Sequence, residues 1–579
     1  MTSDKGGQEG TVPISELNGP SISRRNTLKL LSAAGMAGLA GCSGAEEEIT
    51  TTTEGTTESG SNSSQNTSSP PSSKTGGKMT AGWNVSEFTQ IDPHYSTLTF
   101  STQLLGNLFS GLVEVKKDLT IQGDLAKDWT VSDGGKTIEF QMVEDAHFPY
   151  NGKNVTAEDV EYSFRRVIEE ETPHANKFSS LRPLDDGGIQ TDGDYGLTLN
   201  FKQPFAPIFI FLTPDLGNAG AVICPQALED MGKKQFGIKP QGSGPFHITK
   251  HTLGSTLQTK ANRNYHKSDS NGTQLPYLDA IDFEPLKEAS TRTNALLTGS
   301  VQFLNWPPDA QLGTLKKNRN VEVESLMGPN FGGLAFNNQA EPFKDKKVRL
   351  AVAKAIDEER YVKEALLGHG TADTGVYSPA HGWLYRDKFA ESDDTIGGPE
   401  KSSVQRYDPE GARKLAKEAG VMGLDIEMTV SPPELRGAKV LRSLLNEELN
   451  WNVKIQQYDI STIFEQLPNG NYKFIPFGNS VSPDPDGLTY QLFGPPEETY
   501  NWWGPYIDDD LMKLLKRQRT ELNREKRKQT LWKIEDMLLE EAPWAFFEHE
   551  TVEAARRKNV KNYTHFGIID RLRSVYLED

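Results

Sequence analysis

Alternating apolar and polar positions predict β-strands in the first half of the folded part of the chain. Residues 129–132 and 136–142 flank the turn-forming residues 133–135, and apolar side chains stand at every second position of the later stretch. A further alternating run occupies residues 197–201. Because successive side chains of a strand point to opposite faces, these runs predict half-buried strands. The first half is therefore predicted to be rich in strands and, with the helix described next, to form an α+β subdomain.

A repeat of apolar positions every three to four residues predicts helices, chiefly in the second half. One helix is predicted to follow Thr156, which can cap it together with Asp159 in a capping box. Strands are predicted between later helices, at residues 426–430 and 453–458. Those helices begin at side chains that can cap a first turn: Asp357, Asp408 and Asn523. The pattern indicates two α/β lobes with extra structure inserted in the first.

The N-terminal 42 residues are typical of an export signal. Residues 23–29 carry a twin-arginine pattern, and residues 30–40 form a weakly apolar run that is too short to span a bilayer. The run ends in a lipobox at residues 39–42, in which the peptidase cuts before the cysteine and the thiol takes a lipid. Residues 1–42 are therefore predicted to be a Tat signal with a lipobox, and Cys42 the site of lipid attachment.

Residues 43–78 are predicted to be a flexible stalk. They are almost entirely Ser, Thr, Glu, Gly, Asn and Pro, so they cannot bury enough apolar surface to offset the entropy of ordering. No later apolar run reaches the roughly 20 residues that a membrane helix needs. The sequence thus predicts a folded body that starts near Met79, on the extracellular face of the cell membrane, and that is held there by the lipid on Cys42.

Charge and cysteine content exclude some partners. The net charge is -18, from 80 acidic and 62 basic side chains, and such a surface repels nucleic acid. With only two cysteines, Cys42 and Cys224, no disulfide framework is available. Cys224 stands in an apolar stretch and is predicted to be a buried thiol.

No complete catalytic or metal-binding motif is present. Ser482, Asp484, Asp486 and Gly487 match the start of an EF-hand loop, but Phe493 stands where the loop requires a bidentate Glu. Zincin, P-loop, dinucleotide-binding and nucleophile-elbow patterns are incomplete. We therefore predict that the chain is not an enzyme and uses neither a metal nor a cofactor. A secreted, lipid-anchored hydrolase, whose carboxylates converge only in the fold, remains the alternative of a different class.

Four separated stretches carry signatures in a characteristic order along about 500 residues. They are residues 137–164 with Thr156-Ala157-Glu158-Asp159-Val160, residues 242–279 with Gly242-Ser243-Gly244-Pro245-Phe246, residues 334–368 with Leu334-Ala335-Phe336-Asn337-Asn338, and residues 484–543 with Asp484-Pro485-Asp486, Arg527 and Glu541-Ala542-Pro543. Together they resemble the family 5 extracellular solute-binding proteins. These are the receptors of ABC importers for dipeptides, oligopeptides, nickel and some oligosaccharides.

The resemblance implies an α/β fold, a two-lobed periplasmic-binding-protein-like clamp with an extra α+β subdomain in the first lobe. It implies a monomeric receptor that closes on a solute and delivers it to the membrane permease subunits of an ABC importer. Gly242 and Gly244 are interpreted as a tight crossing of the chain between the lobes. The expected boundaries are 79–112, 230–330 and 550–579 for lobe one, 113–229 for the extra subdomain, and 331–549 for lobe two.

The ligand is expected to be a peptide, with an oligosaccharide as the alternative and a metal chelate third. In peptide-binding relatives an aspartate four residues before the motif proline pairs with the α-amino group of the peptide. Here the proline is Pro485 and that position is Val481, so either another acid replaces the anchor or the ligand has no such amine. The predicted ligand-binding residues are Thr97, Leu98, Gly478, Asn479, Ser480, Val481, Trp502 and Trp503.

Overall fold

The computed structural model describes residues 75–97, 99–386, 404–501 and 504–578. Its strands are β1 (Lys78–Trp83), β2 (Val113–Val115), β3 (Ile121–Gly123), β4 (Ala126–Ser132), β5 (Thr137–Met142), β6 (Ile189–Asp192), β7 (Gly196–Asn200), β8 (Phe246–Lys250), β9 (Leu257–Ala261), β10 (Ala280–Pro285), β11 (Phe303–Asn305), β12 (Val321–Met327), β13 (Asn330–Phe336), β14 (Gly370–Ala372), β15 (Asp425–Val430), β16 (Asn452–Gln457), β17 (Phe474–Val481), β18 (Trp544–Arg557), β19 (Val560–Lys561) and β20 (Tyr576–Leu577).

The α-helices are distributed over both halves of the chain. They are α1 (Thr99–Leu108), α2 (Ala157–Glu169), α3 (Ile208–Phe211), α4 (Pro225–Ile238), α5 (Ala289–Thr298), α6 (Asp309–Lys317), α7 (Lys346–Lys354), α8 (Glu358–Glu364), α9 (Pro409–Glu418), α10 (Leu435–Leu449), α11 (Ile460–Gln466), α12 (Tyr490–Phe493), α13 (Asp509–Thr520) and α14 (Arg524–Glu541). No helix in these described ranges is long and apolar enough to span a bilayer.

The two lobes share one long strand, β18. Its first half, up to Glu550, pairs with β13 and β14, and its second half, from Thr551, pairs with β12 and β11. The strand order within the described residues is β16-β15-β17-β13-β18-β11-β1-β10-β9-β8, with β12 and β14 also on β18. Strands β13 to β17 therefore belong to one lobe and β1 and β8 to β12 to the other, and β18 passes through both.

The predicted elements of the inserted subdomain are confirmed. An antiparallel sheet has the order β4-β5-β7-β6, and α2 lies next to it in sequence and packs on β6 and β7. The Asp159 carboxylate accepts a hydrogen bond from the Thr156 backbone N–H at 2.9 Å, which completes the predicted capping box. Apolar side chains of both the sheet and the helix are buried in the core of the first lobe, as the alternation requires.

The predicted helix caps of the second half are confirmed. In each case a side-chain oxygen accepts a hydrogen bond from a backbone N–H in the first turn, which satisfies a donor that the helix itself leaves free. The pairs are Asp357 with Arg360, Asp408 with Gly411 and Asn523 with Lys526. These helices flank the sheet of the second lobe, whose two faces carry separate apolar clusters. Cys224 is fully buried, as predicted.

The interpretation of Gly242 and Gly244 is correct about close packing but wrong about its place. A Cβ atom on Gly242 would lie 2.9 Å from the carbonyl oxygen of Leu108, and one on Gly244 would lie 2.7 Å from the same oxygen. The glycines therefore allow the chain before β8 to pack on the C-terminal end of α1. Because both elements belong to the first lobe, these glycines do not mark a crossing between the lobes.

Candidate functional site

Three strands of the second lobe end at the same edge of its sheet. β15 is parallel to β17, while β17 and β18 each pair antiparallel with β13, so β15, β17 and β18 run in the same direction. Ligands of α/β proteins commonly bind beyond the carboxyl ends of such strands. This edge, which β18 leaves to enter the first lobe, is therefore the candidate site. It carries residues 431–434, 478–481 and 548–550.

The residues predicted from the sequence fall only partly within the described structure. Residues 478–481 form the end of β17, where Val481 pairs with Asn330 and Ser480 with Phe331; the structure describes their backbone but not their side chains. Thr97 is half-buried and precedes α1 on the first lobe. Leu98, Trp502, Trp503 and Cys42 lie outside the described residues. The two predicted segments thus lie on different lobes, and their contact with a ligand stays a prediction.

The site also holds a group of carboxylates that the sequence did not reveal, here called the hinge acid cluster: Asp309, Glu434, Glu548, Glu550 and Glu553. Glu548 is the most deeply buried, with an exposed fraction of 2%. A Cβ atom on Gly332, the residue opposite Glu548 on β13, would overlap its Oε1 atom. Among the described residues, Oε2 of Glu548 has no hydrogen-bond partner. The carboxylate therefore fills the space that the missing side chain at 332 leaves.

Burial and mutual repulsion raise the pKa of four of these carboxyl groups, those of Asp309, Glu434, Glu548 and Glu550. Burial, followed by repulsion from Glu434 and other acids of the cluster, raises the pKa of Glu550 to about 8. Burial raises the pKa of Glu434 to about 7 and, aided by Glu553, that of Asp309 to about 6. The pKa of Glu548 is also well above its ordinary value, because of burial and then of Glu550 and Glu434. Ionisation of these carboxyl groups is therefore less favourable in the folded protein than in water.

One guanidinium offsets part of this charge, and one imidazole lies beside the cluster. Nη2 of Arg436, in the first turn of α10, lies 3.7 Å from Oδ2 of Asp309, the first residue of α6. The same guanidinium donates through Nε to the carbonyl oxygen of Ala365. Nδ1 of His369 lies 3.3 Å from Oε1 of Glu553. Because α6 belongs to the first lobe and α10 to the second, the Arg436–Asp309 pair also joins the two lobes across the site.

A second connection between the lobes lies at Arg519. Its guanidinium stands over the ring of Phe205, 4.8 Å from the ring centroid, and its backbone carbonyl oxygen accepts a hydrogen bond from the N–H of Ala206 at 2.7 Å. These contacts join α13 of the second lobe to the inserted subdomain. The structure thus describes a form in which the lobes touch at two separate places.

The Asp484-Pro485-Asp486 signature has a structural part. Asp484 accepts hydrogen bonds from both terminal nitrogens of Arg527, at 2.8 and 2.6 Å, and one from the backbone N–H of Asp486 at 2.9 Å. Asp486 accepts a hydrogen bond from Nε2 of Gln518 at 2.6 Å. Asp484 therefore caps the turn at residues 485–487, and the Arg527 guanidinium holds the pKa of Asp484 below its ordinary value despite burial.

The sequence and the fold match a known family and known structures. Residues 120–500 match the family described as "Bacterial extracellular solute-binding proteins, family 5 Middle". The glutathione-binding protein GsiB of Salmonella typhi is 26% identical over 494 residues, which cover 83% of this chain and 90% of that protein. GsiB of Escherichia coli O1:K1 / APEC has the same identity and coverage. The family expected from the four signature stretches is confirmed.

Solved structures share the fold. DppA of Helicobacter pylori, in complex with the peptide STSA, has a TM-score of 0.70 and 22% identity, and the match covers 87% of this chain and 99% of that one. AppA of Bacillus subtilis, in complex with a nonapeptide, has a TM-score of 0.68 and 22% identity over 87% and 100% of the two chains. At these identities the likeness establishes the fold alone, a mixed α/β structure of two lobes.

Proposed function

Because the chain belongs to the bacterial extracellular solute-binding proteins of family 5, we propose that it is the receptor of an ABC importer and that its ligand is a peptide. The match over residues 120–500 carries the receptor role. The peptide is supported by the curated relatives, which are glutathione-binding proteins, and by solved structures of the same fold that hold peptides. The permease subunits would recognise the closed clamp.

The receptor needs no catalytic group, and we infer that the chain is not an enzyme. Its best candidate for a nucleophile and base is the pair Ser378 and His381, whose Oγ and Nδ1 atoms lie 3.4 Å apart. Both residues are fully buried, and the Ser378 hydroxyl donates its proton to the carbonyl oxygen of Gly328 at 2.7 Å. Burial lowers the pKa of His381 to about 4. This pair ties loops together, since Nε2 of His381 lies 2.9 Å from the carbonyl oxygen of Ser482.

We further propose that the receptor is exported through the Tat pathway and anchored by a lipid on Cys42, as the lipobox at residues 39–42 suggests. Replacement of Cys42 by Ser removes the thiol that the lipid needs. We expect the C42S protein to be released into the medium or to remain as an uncleaved precursor, which membrane fractionation and electrophoretic mobility would report. Unchanged membrane association and mobility would contradict the anchor.

A panel of ligands tests the proposed function. The peptides Ser-Thr-Ser-Ala, Met-Leu and glutathione, an oligosaccharide series and a nickel–histidine chelate would each be added to the purified body, residues 79–579. Thermal unfolding reports binding, because a ligand that binds only the folded state raises the midpoint. We expect a rise with at least one peptide. If only the oligosaccharides or only the chelate bound, the proposed ligand would be an oligosaccharide or a metal chelate and not a peptide.

A further inference from the structure

One oxygen of the Glu548 carboxylate lies buried without a hydrogen-bond partner among the described residues. The side chain has an exposed fraction of 2%, and Oε2 is the unsatisfied atom. Buried carboxylates in folded proteins are nearly always paired, because desolvation of an unpaired charge is strongly unfavourable. Oε2 is therefore free to accept a hydrogen bond from a group that is supplied from outside the chain.

The carboxylate points toward the strand that carries the predicted ligand segment. Glu548 is paired with Gly332 of β13, and β13 lies between β18 and β17. Phe331 is opposite Ser480, and Gly333 is opposite Phe477, so Gly332 stands beside the irregular end of β17. Because Gly332 has no side chain, the carboxylate occupies the surface of β13 itself. The Glu548 backbone lies on β18, but its carboxylate lies over β13, the strand next to the one that carries residues 478–481.

The surrounding charge selects a cation. Glu434 and Glu550 repel Glu548 directly, and Asp309 and Glu553 add to the negative field at Glu550. Arg436 is engaged with Asp309 and with the carbonyl oxygen of Ala365. Within the described part of the chain, no group of three or more His, Cys, Asp and Glu residues is arranged to hold a metal ion. The arrangement therefore suits the positively charged nitrogen of an organic ligand, which brings its own hydrogen-bond donors.

We propose that Glu548 is the carboxylate that binds a protonated nitrogen of the ligand, in first place the α-ammonium group of a peptide. It would do this in place of the aspartate that Val481 replaces. Of the two possibilities that the sequence left open, a substitute acid and an amine-free ligand, the geometry favours the first. The assignment rests on the proposed function for the identity of the ligand, but the requirement for a cation comes from the cluster itself.

The test compares wild type with Glu548→Gln, which keeps the shape and removes the charge. Calorimetry would measure Ser-Thr-Ser-Ala, Met-Leu and glutathione, each with a free and an acetylated amino group, together with spermidine and arginine as cations that are not peptides. We expect wild type to prefer the free amine and the variant to lose roughly 30-fold or more in affinity for it, as for a buried charge pair that loses one partner. The acetylated peptides should bind the two proteins about equally.

A matched control is Glu358→Gln, a buried acid outside the hinge acid cluster, whose carboxylate accepts a hydrogen bond from the Tyr407 N–H at 2.9 Å. We expect less than about 3-fold loss, as for a group that is not a direct partner. The role of Glu548 would be refuted if wild type bound free and acetylated peptides equally, or if E548Q kept the full affinity of wild type. Neither result would contradict the proposed function as a peptide receptor. If only spermidine or arginine bound, and E548Q lost that binding, the cation-binding role of Glu548 would be supported and the proposal of a peptide ligand would be refuted. A panel in which nothing binds would refute both.

Discussion

At the scale of single residues, the position of the Glu548 carboxylate depends on the absence of a side chain at Gly332. The two residues are paired across β13 and β18, and the carboxylate fills the space beside the glycine Cα atom. Gly333, the next residue, is also crowded, but there a Cβ atom would meet the backbone oxygen of Ala545 at 2.6 Å. Adjacent glycines of one strand thus have different neighbours, a carboxylate and a carbonyl group.

This difference makes Gly332→Ala informative. The added methyl group must displace the Glu548 carboxylate, so we expect the preference for free over acetylated peptides to disappear and the free energy of unfolding to fall by roughly 1–3 kcal/mol. Gly333→Ala is the control, since it should cost a similar stability and keep the preference. Urea unfolding and peptide calorimetry measure both effects. If G332A retained the preference of wild type, the carboxylate would not lie where the structure places it.

Residue roles were predictable from the sequence where they depend on near neighbours. Thr156 and Asp357 act through atoms three residues away, so the sequence around each contains its whole partner set. Glu548 acts through Gly332, Glu434 and Glu550, and the first two are distant in sequence. An acid at the end of an apolar run resembles many surface acids of a chain with 80 of them. The fold alone distinguishes it.

At the scale of secondary-structure elements, the hinge acid cluster results from strand direction. β15, β17 and β18 run the same way, so the residues that follow their apolar stretches meet at one edge. Of these three strands, β15 was predicted from its sequence, whereas β17, β18 and the order of the strands in the sheet were not, because pairing joins distant segments. The same limit explains Gly242 and Gly244, whose tight packing was predictable and whose partner, α1, was not.

The shared edge predicts how stability depends on pH. Glu434 and Glu550 have pKa values of about 7 and about 8, against an ordinary 4.5, so the folded protein binds more protons than the unfolded chain between those limits. Their stabilisation is complete below about pH 4.5 and is lost as the pH rises through the folded-state values. We expect the free energy of unfolding of the ligand-free protein to fall by up to about 6 kcal/mol from pH 5 to pH 8, since each unit of pKa shift corresponds to about 1.4 kcal/mol.

Urea unfolding at several pH values measures this fall. Glu434→Gln should remove part of it. Glu358→Gln is a control outside the cluster, because burial raises the pKa of Glu358 to about 7 at a site where it accepts a hydrogen bond from the Tyr407 N–H. E358Q should flatten the curve without any change in ligand affinity, whereas E434Q should alter both. A ligand-free protein that is equally stable at pH 5 and pH 8 would contradict the raised pKa values.

At the scale of the whole molecule, the two lobes are connected by β18 and by side-chain contacts across the site. The fold was predictable because four local signatures occur in the order of a known family. The contact of Arg436 with Asp309 was not predictable, since it joins helices of different lobes. The clamp geometry implies that the lobes can separate about the segment of β18 near Glu550.

Small-angle scattering tests this motion. We expect the radius of gyration of the purified body to decrease when a free-amine peptide binds, because the ligand stabilises the closed arrangement. The E548Q variant, at the same peptide concentration, should keep the larger radius. It should become as compact as wild type only at concentrations that compensate for its weaker affinity. A radius unaffected by a bound peptide would contradict the clamp.

The hinge acid cluster draws its members from both lobes, with Asp309 and Glu553 on one and Glu434 and Glu548 on the other. When the cleft shuts without cargo, charges of the same sign approach each other or must take up protons. A cationic cargo turns that repulsion into attraction. An importer that responds to the shut shape would then seldom be triggered by an unloaded receptor, so the cell would hydrolyse little ATP without moving any solute.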